Sequence, residues 1–480
     1  MNIYQKIVKN FSLRYGSTML CKILNFLFII YLTNKLGDGT AGHYFWIIAT
    51  TNMIALIVDA GFATILTREC SKDRDNAPKI LFNMIVLKLV AAILMMLVLH
   101  LLLKLMSSFS NLPYTQFSFS IYIFGLFWIT NSFIELFCGV FIAFERMDYD
   151  ALINIVHRGL SFILGVILIA FGCNILGVAI AYFAAALVST IYALKLINRN
   201  IFRITFNFDL KKSYYLLLQS LPLAFALLFS SIYFKVDTFM LGLYRIPEEV
   251  GWYGAVYRIL EITIIIPQAF TIVLFPIFSR LYVDSIGKLQ ETYKRIVKIM
   301  FVASLPVALI ITSLAKPILT LFGEDFIMGT PILKILIWAV CLIFVNFILL
   351  TLLTSIGLQK INALSNGLCV LINIALNLIF IPLWGGIGAA ITTIITECCV
   401  FGICYRYVSV NLGKLDIHAC FIKPIVGLFF GGLIIYFFRG NLFIGITLSF
   451  VLYLIILLVS DAINKEDIAV LKHLFESKKN

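Results

Sequence analysis

From residue 12 to residue 460 the chain is a succession of apolar runs about twenty residues long, separated by short polar joints. No other feature restricts the fold so severely. A run of ~20 apolar residues matches the ~30 Å hydrocarbon core of a bilayer when it is an α-helix. Inside that core every backbone N–H and C=O must be satisfied within a helix or within a closed barrel. The runs are apolar throughout, without the inside/outside alternation of barrel strands. They predict an all-α polytopic membrane protein. Only 13% of the 480 residues are charged, against ~25% in soluble domains, which excludes a water-soluble globular fold.

Fourteen spans are expected, near 12–34, 43–66, 80–103, 118–143, 151–171, 175–195, 214–236, 252–278, 298–314, 330–355, 363–383, 386–405, 420–437 and 441–460. The first run is too long for a signal peptide, lacks a small-residue cleavage site and leads directly into a second span. The joints alternate in basic charge. One side carries Lys6 and Lys9, then Arg68, Lys72, Arg74 and Lys79, then Arg199, Arg203, Lys211 and Lys212. It continues with Arg280, Lys288, Lys294 and Arg295, and ends with Lys465, Lys472, Lys478 and Lys479. The other side has little beyond Lys35, Lys104, Arg245, Lys316 and Arg439. The positive-inside rule then places both termini in the cytoplasm. The joints at 196–213 and 279–297 read as basic connectors, and none is long enough to form a separate domain. A net charge of +13 carried beside spans sets orientation, so no nucleic-acid partner is expected.

Two hairpins repeat. LGDGTAGHYFWI places Gly42 and Tyr44 at the start of span two, and RIPEEVGWYGAV places Gly251 and Tyr253 at the start of span eight, 209 residues later. LGVAIAYF (Gly177, Ala179) and IGAAITTI (Gly388, Ala390) match at an offset of 211. The offsets argue for a duplicated six-helix unit. Six is even, so the copies share one orientation, a parallel repeat. The expected organisation is an N-terminal lobe over 1–200, a second lobe over 201–410, and two further helices with a tail over 411–480. Duplicated bundles with a site at the repeat interface are a transporter plan.

Ionisable residues within the spans are the candidate functional groups. Lys22 lies mid-span, where a charge costs ~2.5–3.5 kcal/mol on insertion scales. Lys88, Arg158, Lys235, Arg258 and Lys334 also fall in or near the ends of spans, as do Asp59, Glu135, Glu261 and Glu397. Ten such groups facing lipid would cost roughly 25–35 kcal/mol, more than most domains have in stability, so most must face the bundle interior or water. Neighbours at helical spacing support this: Thr18, Lys22 and Asn25; Asn154, Arg158 and Ser161; Asn131 and Glu135; and a stripe of Asn362, Asn366, Asn373 and Asn377. Two readings follow. Some are inter-helix polar clamps, such as Lys22 with Asp59, while Arg258 and Glu261, an i, i+3 pair on span eight, neutralise each other. Others (Lys22, Asn25, Lys88, Arg158, Arg258, Asn366, Asn373) line a net cationic site for an anionic head group, with Asp59, Glu135, Glu261 and Glu397 as charge partners or coupling groups. Lys235 and Lys334 read as interfacial. The ten cysteines and five histidines show no metal spacing, and no Gly-rich phosphate loop is present. No cofactor, metal or enzymatic chemistry is expected.

The N-terminal stretch resembles the opening of polysaccharide-unit flippases of the O-antigen (Wzx) type. The resemblance rests on Gly42 and Tyr44 after the first loop, Asp59 and Gly61 near the end of span two, and Arg68 in the basic segment beyond. IPLWGGIGAAITT (Pro382, Gly385, Gly388, Ala389, Ala390) is similar to the family's turn between helices eleven and twelve. That family belongs to the multidrug/oligosaccharidyl-lipid/polysaccharide exporter superfamily. The resemblance implies translocation of an undecaprenyl-diphosphate-linked oligosaccharide, of O-antigen repeat-unit type, across the bacterial inner membrane by alternating access. It implies a polysaccharide polymerase and a chain-length regulator as partners beside membrane lipids. A lipid II flippase or a multidrug antiporter of the same superfamily would share the architecture. A polysaccharide polymerase, an enzyme, would need a large arginine-bearing periplasmic loop that this chain lacks.

Overall fold

The computed structural model describes residues 3–109, 117–438 and 440–460, together with 462, 464 and 467. The side chains of Lys6, Lys9, Arg439, Lys465, Lys472, Lys478 and Lys479 lie outside the described residues, as does most of the expected tail. The first helices are α1 (Ile3–Asp59), α2 (Phe62–Lys72), α3 (Ala77–Phe109), α4 (Ser118–Ala143), α5 (Met147–Ala170) and α6 (Ile175–Asn200). They continue as α7 (Leu210–Tyr244), α8 (Pro247–Thr263), α9 (Ile265–Asp284), α10 (Ile286–Ser313) and α11 (Ala315–Thr320). After a 3₁₀ turn at Glu324–Gly329 come α12 (Thr330–Leu336), α13 (Ala339–Ser355), α14 (Gln359–Leu412), α15 (Lys423–Phe437) and α16 (Leu442–Val459).

Among the described residues eleven helices are long and apolar enough to cross a membrane, and the pair Glu324–Leu336 and Ala339–Ser355, bent by 50°, makes a twelfth. Two of the eleven each join two helices across a glycine, Gly37 (φ 74°) in α1 and Gly385 (φ 56°) in α14, so fourteen spans have counterparts. Both glycines occupy the left-handed region that a side chain disfavours.

Several boundaries differ from the sequence reading. The 279–297 connector is helical, because α9 runs to Asp284 and α10 begins at Ile286. Ser285 is extended and its hydroxyl accepts from the Lys288 amide, an N-cap that lets one residue separate two helices. In the 196–213 connector only 201–209 is non-helical, with Asp209 capping α7. Span ten is broken at Ile337–Trp338.

The chain divides into two compact units, Met1–Gly251 and Trp252–Asn480. In the first, α1 packs on α3, α4, α5 and α7, and α4 and α5 both pack on α6. Its core holds an aromatic cluster in which Tyr182 stands 5.7 Å from Phe28, 6.1 Å from Phe124 and 5.3 Å from Phe127 between ring centroids. The repeat reading puts α7 in the second lobe, yet α7 packs on α1, α2 and α3 inside the first unit. The buried Trp46 indole donates to the Phe239 carbonyl at 3.1 Å and fills the space that a side chain at Gly242 would need.

The repeated hairpins meet within this unit. A Cβ on Gly42 would fall 1.7 Å from the Pro247 carbonyl oxygen, and one on Gly251 would fall 2.3 Å from the Asp38 carbonyl oxygen. Residues 38 and 247 share the 209-residue offset of the two glycines. The contact is therefore reciprocal, as two-fold-related surfaces are.

In the second unit α13 packs on α9, α10 and α14, and α15 packs on α10 and α16. The buried Tyr453 hydroxyl donates to the Val302 carbonyl at 2.9 Å, tying α16 to α10.

Candidate functional site

The ionisable residues of the first unit form a polar seam. At one end the Arg14 guanidinium stands 3.5 Å from the Asp150 carboxylate, which is 5% exposed. The Asn154 amide donates to the Asp150 carbonyl at 2.9 Å and carboxylate at 3.2 Å, while the Cys21 thiol donates to the Asn154 carbonyl at 3.6 Å. One turn on, Arg158 lines a small open pocket with Asn25, Phe28, Ser161, Phe162 and Tyr182. The i, i+3, i+4 spacing that puts Asn154, Arg158 and Ser161 on one face of α5 thus brings them to α1, beside Asn25. Lys22 is half-buried on the same helix as Asn25.

The seam continues at α4. Glu135 lies within electrostatic reach of Arg158, Lys88 and Asp59. Its side chain is exposed. The Asn131 amide donates to it at 3.1 Å. Lys88 is 0% exposed, and its ammonium donates to the Ser132 carbonyl at 2.7 Å and lies 6.0 Å over the Phe133 ring. The charge neighbours of Lys88 are Asp59 and Glu135. Sequence reasoning joined Asp59 to Lys22 across the first hairpin; the structure brings it within electrostatic reach of Lys88, because α1 ends at Asp59 before the Ala60–Gly61 turn and packs on α3. It also counted Lys88 as a cavity residue, and full burial removes that exposure. Arg14, Lys22, Lys88 and Arg158 against Asp59, Glu135 and Asp150 leave the seam one positive charge in excess.

In the second unit Arg258 pairs with Glu261 at 2.6 Å. The Asn377 amide donates to the Asn373 side-chain oxygen at 2.9 Å, both buried, whereas Asn366 is half-buried. The Asn362 amide donates to the Leu350 carbonyl and Thr354 hydroxyl at 2.8 and 2.6 Å, linking α14 to α13. Glu397, 6% exposed, accepts from the Asn346 amide at 2.7 Å. The Asn362 and Glu397 bonds join α14 to α13, whereas Arg258–Glu261 and Asn373–Asn377 each lie within one helix. Lys334 is exposed and Lys235 half-buried.

Sequence reasoning missed four groups. Asn346 is one amide in the apolar run VCLIFVNFILL, Asp150 sat in an assumed loop, and Asp237 (3% exposed) was overshadowed by Lys235. His157, 1% exposed, was read only for metal spacing. The DYDALINIVHR segment carried a signal for two of them, since Asp150, Asn154 and His157 continue the polar spacing of Arg158.

Among solved structures the chain is similar to the lipid II flippase MurJ in an inward closed conformation, with a TM-score of 0.69 at 14% identity over 92% of this chain and 97% of that one. It is similar to an inward-facing multidrug resistance MATE family transporter of the MOP superfamily (TM-score 0.68, 16% identity, 83% and 98% covered). A MOP superfamily transporter from Pyrococcus furiosus aligns with a TM-score of 0.61 at 16% identity, over 85% and 97% of the two chains. At these identities the likeness establishes the fold. A search of curated proteins finds no sequence match. The MatE family model matches residues 222–379. The model of the polysaccharide biosynthesis protein family matches residues 7–282, more than half of the chain and the whole polar seam, and the protein belongs to that family.

Proposed function

We propose that the protein is a flippase that carries an undecaprenyl-diphosphate-linked oligosaccharide, of O-antigen repeat-unit type, from the cytoplasmic to the periplasmic leaflet of a bacterial inner membrane. The observation that carries this reading is the seam at membrane depth inside the matched family region. It combines an excess of basic charge with an amide, a hydroxyl and aromatic faces at Asn25, Ser161, Phe28, Phe162 and Tyr182. Arginine suits bidentate recognition of phosphate or carboxylate, amides and hydroxyls suit sugar hydroxyls, and the polyprenyl tail stays in lipid. Arg158, Lys22 and Asn25 contact the head group, with Asn366 as a contact in the second lobe. Lobes over 1–200 and 201–410, with both termini cytoplasmic, alternate access. A polymerase and a chain-length regulator consume the product outside.

The test is complementation of a strain lacking its O-unit flippase, scoring surface polysaccharide and membrane protein level together. Wild-type protein should restore the polysaccharide. Arg158→Ala should abolish it at normal protein level, with Arg158→Lys retaining part. Failure of the wild type here, with rescue of a strain depleted of its lipid II flippase or with gained drug resistance, would replace the reading by one of the two sister activities.

A further inference from the structure

Residues 202–209, between α6 and α7, form no regular element, yet their backbone is fixed. Asn83 on α3, fully buried, is the main clamp. Its amide donates to the Lys79 carbonyl at 2.7 Å and the Asn207 carbonyl at 3.2 Å. Its oxygen accepts from the Asp209 amide at 2.9 Å and the Ser213 hydroxyl at 2.7 Å. Two donors and two lone pairs are all that an asparagine side chain has. The Lys79 ammonium holds the Asp209 carboxylate at 2.8 Å, and the Ile204 amide donates to the Asn198 side-chain oxygen at 3.2 Å. On this fixed backbone the apolar side chains are turned outward. Phe206 is 86% exposed, Leu210 72% and Phe208 50%, and Tyr214 and Tyr215 are exposed beside them.

Both α6 and the first part of α7 are long and apolar enough to cross a membrane, so their connector lies at a membrane surface. The same stretch carries Lys195, Arg199, Arg203 and Lys211, all exposed and without a carboxylate partner among the described residues. Its one acid, Asp209, is taken by Lys79. Aromatic and aliphatic side chains at the acyl boundary, with cations beside them, are how a surface segment holds an anionic leaflet. We infer that residues 199–215 are an anchor for anionic phospholipid, in which Phe206, Phe208 and Leu210 enter the acyl boundary while Arg203 and Lys211 hold headgroup phosphates. Asn83 orders the backbone beforehand, so lipid binding does not have to. The anchor shares no residue with the Arg158 pocket, and its ligand is the surrounding lipid rather than the translocated head group.

The test uses the purified full-length protein in a nonionic detergent. Its melting temperature is followed as phosphatidylglycerol, phosphatidylcholine or inorganic phosphate is added. Phosphatidylglycerol should raise that of the wild type at lower concentration than phosphatidylcholine does, and inorganic phosphate at the same concentrations should not raise it. A cation near a lipid surface changes affinity about 5-fold. Arg203→Gln/Lys211→Gln should therefore need roughly 25-fold more phosphatidylglycerol and respond to phosphatidylcholine as the wild type does. Phe206→Ser/Phe208→Ser should weaken the response to both lipids. Lys316→Gln/Lys334→Gln removes the same charge from exposed positions elsewhere and should keep the wild-type response. An Arg203→Gln/Lys211→Gln variant with wild-type half-saturation would overturn the inference, and so would an equal loss in Lys316→Gln/Lys334→Gln. Stabilisation of the wild type by inorganic phosphate that Arg203→Gln/Lys211→Gln removes would make this a phosphate site and overturn it as well.

Discussion

Replacing Asn346 by leucine asks how much one buried amide contributes inside a membrane-depth core. Its side chain donates twice to the same residue, at 2.7 Å to the Glu397 carboxyl and at 3.0 Å to the Glu397 carbonyl, with Asn346 2% and Glu397 6% exposed. Interhelical hydrogen bonds in membranes average ~0.6 kcal/mol and reach ~1.7, whereas one involving a charged group is worth ~1.5–3. The carboxyl bond belongs near the upper range and the carbonyl bond near the lower, so Asn346→Leu should cost about 2–4 kcal/mol. At about 1 °C per kcal/mol for a chain of 480 residues, from an unfolding entropy of ~2.1 cal/mol/K per residue, the melting temperature should fall by roughly 2–4 °C. Much of that loss is the penalty of taking the Asn346 donor from the buried Glu397 carboxyl, so replacing both partners should relieve it. Asn346→Leu/Glu397→Met should therefore lie within about 1 kcal/mol of the wild type. The assay is thermal unfolding of the purified protein in lipid nanodiscs, read as a double-mutant cycle. A single variant within 0.5 °C of wild type, or a double variant less stable than both singles, would refute the reasoning. If the double variant is stable and still restores surface polysaccharide, Glu397 is a clamp; stability without transport would make it a coupling group.

Three further outcomes are expected. Gly42→Ala should abolish accumulation of folded protein, since its Cβ would overlap the Pro247 carbonyl, while Gly159→Ala, with nothing within 4 Å, should leave membrane levels unchanged. The Lys79 ammonium at 2.8 Å and the Lys212 amide hold the Asp209 carboxyl below the usual carboxylate range. A lowered folded-state pKa gives stability that is fully present above the ordinary aspartate range near ~4 and is lost as pH falls through the folded value. Melting curves of wild type and Asp209→Asn should therefore differ at pH 7 and converge toward pH 3. A cysteine at position 288 in a background without native cysteines should resist an impermeant reagent applied from the periplasm, because the segment is basic and cytoplasmic by the positive-inside rule; labelling there reverses the orientation.

The spans were legible because burial in lipid demands continuous apolar runs, and a run is a local property. Their ends were not. Ser285 separates two helices with a single residue, a cap that depends on one hydroxyl and one amide. The site was half legible for a related reason. Spacing along α5 brought Asn154, Arg158 and Ser161 to one face, but which helix meets that face is a tertiary matter. So the sequence could join Asp59 to Lys22 within the first hairpin and name Lys88 on α3 without bringing the two together. Asn346 shows the limit most plainly: one amide in an apolar run has no periodic partner until α14 places Glu397 opposite it.

The Gly42–Pro247 contact has a consequence for how the chain is made. The ribosome delivers the first hairpin long before its counterpart, and at ~5–20 residues per second the intervening 209 residues take roughly 10–40 s. Throughout that interval the backbone around Asp38–Gly42 has no Pro247–Gly251 segment to meet. The nascent first helices are then an incomplete half, inserted in the bilayer yet unable to close on themselves. Closure is a late event set by emergence of α8 from the translocon. A product arrested before residue 247 should leave this segment open to membrane quality-control proteases, whereas one arrested beyond α8 should not.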